Sequence, residues 1–190
     1  MRDAAIVEIG VRETATFCQF AEFAYSKIDD SGSPDPTAAF FFIHAFVGYC
    51  STVAHLLLSE EIAPHAGGQT IAQLLEVPHD DRIRLGSIGE INEHYDQRLV
   101  RGLAMRGEVE KILDRNVGDR DAFEQEFSIF LMHYDPSVHV LTELEEEIDL
   151  ARLYSEVANI RERASAWLTG NAVLQDRPAE VTIPPDKPGS

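Results

Sequence analysis

From Pro36 to Ser59 the chain carries no Asp, Glu, Lys or Arg. A run of that length must be sheltered, either by a bilayer or by the rest of a fold. The flanks favour a fold. Asp29, Asp30 and Asp35 precede the run and Glu60 and Glu61 follow it, with no Lys/Arg cluster to orient a membrane span. His44, Ser51, Thr52 and His55 lie inside it. The run is expected as the central buried helix of a bundle, over Thr37 to Ser59, with Thr37 as its N-cap. His44 and His55 are expected as satisfied core histidines, and no membrane association is expected.

Other helices follow from apolar spacing. Phe17, Phe20, Ala21, Ala24 and Ile28 recur every three to four residues and predict a helix over Ala4 to Ile28. The stretch 29–36, with Ser-Gly-Ser-Pro-Asp-Pro, is a loop. Pro64, Gly67 and Gly68 break the second helix, and a short helix is expected over Gln69 to Glu76, stopped by Pro78. Asp80 to Gly102 predicts a third long helix, with Ile88, Ile91, Tyr95 and Leu99 on its buried stripe. Gly86 and Gly89 within it point to a kink or a close backbone approach. Residues 102–119 read as partly helical around Val109 to Leu113.

Phe127 to Tyr134 and Val138 to Leu144 are rich in β-branched and aromatic residues around Asp135-Pro136-Ser137, and predict a small β-hairpin. Asp149 is expected to cap a last helix running to Leu168. The fold class expected is mainly α: a four-helix bundle with a small β-hairpin before the last helix. A single helical domain over 1–168 is followed by a loose Pro-rich tail over 169–190.

The chain holds 16 basic and 33 acidic residues, a net charge of −17. Such a surface repels polyanions at long range, so extended nucleic-acid binding is not expected. Residues 82–120 differ: eight basic minus seven acidic residues leave +1, against −18 for the remainder. A local anion site is therefore sought there. Cys18 and Cys50 lie in apolar helical stretches without CxxC spacing, as buried free thiols of a cytoplasmic protein. The N-terminus lacks a signal-peptide pattern.

Glu90-Ile91-Asn92-Glu93-His94-Tyr95-Asp96-Gln97-Arg98 is the richest polar cluster. Residues four apart share a helix face, so Glu90, His94 and Arg98 form one row at the edge of the buried stripe. Glu90 favours the charged imidazole and Arg98 the neutral one. His94 and Arg98 are the candidate catalytic pair, with Glu90 as modulator. Arg84, Arg101, Tyr95 and Asp96 are the candidate binding residues. The plainer reading is a half-buried His94 bonded to Glu90 or Asp96.

Glu93-His94-Tyr95-Asp96-Gln97-Arg98, on a helix that follows an apolar helix, resembles a bacterial branch of the HEPN superfamily. The resemblance covers roughly residues 5 to 168 and takes in Tyr134-Asp135-Pro136 with the helix after it. It implies a compact helical bundle, a homodimer, and metal-independent ribonuclease chemistry of a stress, defence or toxin–antitoxin system. His94 would match the family histidine. The family arginine would fall five residues earlier, where this chain has Gly89, followed by Glu90. Phosphoryl transfer needs positive charge at the phosphate and an acid or base of near-neutral pKa. Losing that arginine costs about 3 kcal/mol of transition-state stabilisation. Arg98 or Arg84 would have to substitute, and Glu90 would oppose an incoming phosphate. The expectation is an RNA-associated protein with weak or lost cleavage.

The alternative is a non-enzymatic, dimeric structural or interaction module. No cofactor and no metal are expected. Zinc through His94, His133 and His139 stays open without close ligand spacing behind it. A small-molecule pocket beneath Phe40 to Phe46 is a third option. The four acids within Glu143 to Glu147 read as a solvated helix start, or as a dock for a basic cognate partner protein.

Overall fold

The computed structural model describes residues 2–30, 36–105, 111–120, 128–144 and 146–175. The uncharged run forms helix α2 (Pro36–Leu58), which begins on a proline preorganised for a first helical turn. Before it lies α1 (Arg2–Asp30). After it come a 3-10 turn (Ala63–Ala66) and α3 (Ile71–Leu74). Thr70 starts α3 with a capping box: its hydroxyl accepts from the Gln73 backbone N–H, and the Gln73 side chain accepts from the Thr70 N–H. Then follow α4 (His79–Glu93) and α5 (Tyr95–Met105). Among the described residues six short strands come next: β1 (Lys111–Leu113), β2 (Asn116–Val117), β3 (Ser128–Phe130), β4 (Met132–Asp135), β5 (Val140–Glu143) and β6 (Glu146–Asp149). The last element is α6 (Leu150–Gln175).

The chain is mainly helical with a small mixed sheet. α1 packs between α2 and α6, and α4 lies on the other flank of α2. The core runs through these helices as Val11, Cys18, Ala21, Ile43, Phe46, Cys50, Val53, Leu57, Val157 and Ile160, with Leu85 closing it from α4. Tyr25 knits three helices together, stacked on Tyr154 at 4.5 Å and tilted against Phe46 at 5.2 Å. α2 is long and apolar enough to cross a membrane, but ten of its residues, including Phe40, Ile43 and Phe46, are buried in this core. That packing is compatible with a soluble protein.

The expected hairpin is present: β4 and β5 pair antiparallel with Tyr134 opposite Leu141. It belongs to a larger sheet of order β2-β4-β5-β6, in which β2 runs parallel to β4 and β6 antiparallel to β5. β1 and β3 form a separate parallel pair. Lys111–Leu113 is thus a strand, not helix, while Val109 and Glu110 lie outside the described residues. Phe127 also lies outside them. The acidic run is corrected too. Glu143 lies in β5 and Glu146 and Glu147 in β6, whose mutual pairing satisfies the backbone that a helix start would have left open, while Glu145 lies outside the described residues.

Asp149 caps α6 as expected, its Oδ1 accepting from the Arg152 N–H at 2.9 Å. The helix continues seven residues past Leu168 to Gln175. Trp167 and Leu168 pack against the core, and Thr169 and Asn171 bond back to the Ser165 and Trp167 carbonyls. Residues 176–190 lie outside the described residues.

His44 and His55 are not core residues. They fall on the exposed flanks of α2, where His44 Nε2 lies 3.2 Å from Met132 Sδ and His55 faces Gly89.

Candidate functional site

The predicted third helix is two helices that meet at His94. His94 has φ −112° and ψ 27°, far from helical values, yet hydrogen bonds continue on both sides. Its N–H donates to the Glu90 carbonyl at 3.1 Å, and its own carbonyl accepts from the Arg98 N–H at 3.0 Å. The junction is a kink in a continuing helix. Gly86 and Gly89 mark something else. A methyl group on Gly89 would lie 3.7 Å from His55 Nε2, and one on Gly86 would lie 3.5 Å from Leu58 Cδ1. They lie where α4 packs on α2, at distances that are ordinary van der Waals contact, so the packing there does not require glycine.

The kink opens one wall of a surface cleft of about 440 Å³, lined by Ser87, Glu90, His94, Gln97, Arg98, Arg101 and Glu146. The sequence row of Glu90, His94 and Arg98 therefore shares one concavity. Arg101 joins it, and Asp96 is exposed in the first turn of α5 without lining it. Tyr95's side chain lies outside the described residues. Arg84 lines the next cleft instead, with Ile88, Ile148, Arg152 and Glu156. His94 is exposed, and among the described residues no hydrogen bond joins its ring to Glu90 or Asp96. The plainer reading of His94 as a half-buried, bonded side chain is thus not what the structure contains.

Arg98 is not available to a ligand. Its Nη1 donates to Glu143 Oε2 at 3.2 Å, its Nη2 donates to the Glu143 carbonyl at 3.3 Å, and Nη2 also lies 3.0 Å from Glu146 Oε2. The Arg98 side chain is 15% exposed. Burial pushes the Glu143 carboxyl above its ordinary range, and Arg98 offsets only part of that rise. Arg84 is held likewise, with Nε donating to Glu156 Oε1 at 2.6 Å and Nη2 to Asp81 Oδ1 at 2.8 Å. Glu156 raises the pKa of Arg84, chiefly through that bond.

Two more of the basic residues in 82–120 are held in the same way. Arg115 pairs with Asp114 at 2.7 Å, and Arg120 pairs with Glu147. In the His94 cleft, Arg98 and Arg101 are matched by Glu90 and Glu146, and Glu143 beneath them brings the sum to −1. The cleft offers a histidine and amide groups to a ligand, but little field for a phosphate.

Sequence reasoning missed Glu143 and Glu146. Four acids within five residues signalled solvent, and the burial of Glu143 appears only once β5 is paired on both sides. The zinc alternative finds no support. Burial lowers the pKa of His133, whose ring packs 4.8 Å from Phe130, and His139 Nδ1 lies 3.0 Å from the Tyr134 hydroxyl. Among the described residues no group of three or more His, Cys, Asp or Glu could hold a metal. Compared with known proteins, the chain matches no family model, no curated protein and no solved structure.

Proposed function

We propose that this chain is a cytoplasmic, HEPN-like four-helix bundle that acts as an interaction module without ribonuclease chemistry of its own. One observation carries the choice between module and nuclease: the two arginines expected to replace the missing one, Arg98 and Arg84, are both bound to carboxylates. Arg98 is held by Glu143 and Glu146, and Arg84 by Glu156 and Asp81. A phosphate entering beside His94 would have to displace a carboxylate from Arg98 while facing Glu90. An interaction module needs no such charge and tolerates the arrangement.

A second reading, an RNA-associated protein with weak cleavage, is favoured by His94, Gln97 and Arg101 sharing one open cleft. A metal-free RNA cleavage assay separates the two, comparing the wild type with His94→Ala at matched concentration over several RNAs. The module reading expects no cleavage by either protein. Cleavage by the wild type that disappears in His94→Ala would overturn it and place the acid or base at His94. Equal cleavage by both would indicate a contaminant or another site.

A further inference from the structure

The Glu156 carboxylate is buried, only 6% exposed, and just one of its two oxygens is used. Oε1 accepts from Arg84 Nε at 2.6 Å and from Arg152 Nε at 3.3 Å. Oε2 is buried and has no hydrogen-bond partner among the described residues. Arg84 does not span both oxygens, and its Nη2 also serves Asp81 Oδ1 at 2.8 Å. A buried carboxylate oxygen left without a donor is costly, and native folds supply a water, an ion or a ligand there.

Glu156 forms part of the wall of a cleft of about 160 Å³ between α4, β6 and the start of α6. This cleft shares one residue, Ser87, with the His94 cleft. Ile88, Ile148 and Leu153, all buried, give it an apolar lining. Arg84, Arg152, Glu147 and Asp149 add charge. With Glu156, three carboxylates stand against two guanidinium groups. Asp81 on Arg84 and Arg120 on Glu147 cancel each other, so the surroundings stay at −1.

These features select a ligand. Oε2 needs a donor, which an anion lacks. A site of net −1 favours a single positive charge. The apolar lining favours a hydrocarbon chain, and the cleft is smaller than the ~300 Å³ at which pockets for whole metabolites begin, so one unbranched chain fills it. A guanidinium would bring five N–H donors to one free oxygen, and a primary ammonium brings three. We propose that this cleft binds a primary alkylammonium, whose N–H donates to Glu156 Oε2 and whose chain lies on Ile88, Ile148 and Leu153. A free small amine and the lysine side chain of a protein both carry that group. The proposal requires neither the module reading nor His94.

n-Butylammonium titrated into the full chain, labelled with nitrogen-15 and held at neutral pH in about 0.1 M salt, tests it. The Ile148, Asp149 and Leu153 amides should shift and saturate with a Kd of about 1 mM, the scale of a five-atom ligand. Glu156→Gln should weaken binding by about tenfold or more. Glu90→Gln, in the His94 cleft, should leave it unchanged. If Glu156→Gln fails to fold, Ser87→Trp decides: Ser87 is exposed on the rim, and an indole there should exclude the amine with Glu156 intact. N-acetyl-lysine methylamide separates the two sources: tighter binding than n-butylammonium assigns the cleft to a protein lysine, weaker binding to a free amine. The proposal is overturned if no shift saturates by about 50 mM, which leaves Oε2 to a water only. It is overturned equally if tetramethylammonium, which has no N–H, binds as tightly, if Glu90→Gln abolishes binding, or if folded Glu156→Gln or Ser87→Trp keeps the wild-type Kd.

Discussion

Arg98 Nη1 lies 3.2 Å from Glu143 Oε2, and the Glu143 carboxyl still has a raised pKa. Burial outweighs the neighbouring guanidinium here: removing the carboxylate from water costs more than the pair returns. The protonated form is therefore the better fit to the fold. A raised folded pKa means that Glu143 contributes full stability below its ordinary value of 4.5 and loses it as the pH rises through the folded value. Glu143→Gln mimics the protonated form. It should unfold at higher urea than the wild type at pH 7, with the gap closing as the pH falls toward 4.5. A Gln variant that is clearly less stable at pH 7 would show that the ion pair dominates.

Glu156 presents the opposite case, a buried carboxylate held by two arginines. Its side chain is 7% exposed, and its Oε1 accepts from Arg84 Nε at 2.6 Å and Arg152 Nε at 3.3 Å. Removing one partner of a buried pair typically costs 3–5 kcal/mol. Arg84 is 35% exposed, so water screens part of the loss. Arg84→Ala should cost about 2 kcal/mol. Adding Glu156→Gln should recover part of that loss, because the uncompensated charge is then gone. Urea denaturation of the two single variants and the double variant measures the coupling, and an additive result would rule out a direct Arg84–Glu156 pair.

The helices were legible because helical periodicity is local. Ala21, Ala24 and Ile28 are buried as their spacing predicts, and Asp149 caps α6 where a capping residue was expected. The sheet was only half legible. A hairpin is a local signal, and the pairing of Tyr134 with Leu141 follows from two adjacent runs. The pairing of Lys111 with Ser128 joins segments 17 residues apart, and no short-range pattern announces it. The same limit hid the chemistry of the cleft. The spacing placed His94 beside Arg98, but what neutralises Arg98 is Glu143, 45 residues on. Helix arithmetic across a kink also loses its reference frame, and for that reason His94 is exposed rather than at a half-buried edge.

Both cysteines should be silent toward thiol reagents in the folded protein. Burial pushes the Cys18 thiol up to about 12, helped by nearby Glu22, and raises that of Cys50 well above its ordinary value. The thiolate is the reactive form and neither side chain is exposed, so attack must wait for unfolding. At pH 8 an aromatic disulfide reagent should label neither thiol in buffer and both in denaturant, with a native-state rate that tracks global stability. Fast stoichiometric labelling of one thiol under native conditions would mean that α1 and α2 separate locally.

Gly89 stands where the resemblance would put an arginine, at a buried position where α4 packs on α2. A methyl group there would make ordinary contacts, 3.7 Å to His55 Nε2 and 3.9 Å to Ala54 Cβ. Gly89→Ala should therefore keep the packing and gain helix propensity, stabilising the fold by about 0.5–1 kcal/mol. Gly10→Ala provides the contrast. Its methyl would lie 2.8 Å from Ile71 Cδ1, on a side chain that is fully buried and has little room to move. That overpacking should exceed the propensity gain, for a net loss of about 1 kcal/mol. Gly89→Arg should destabilise more than either, because a long cation would have to pass between α4 and α2 beside His55 and Ala54. Thermal and urea unfolding of the three variants rank them. If Gly89→Arg is as stable as Gly89→Ala, position 89 can hold an arginine, and its absence is then a matter of chemistry. If the predicted order holds, the packing of α4 on α2 admits a methyl group at position 89 and has no room for the arginine there.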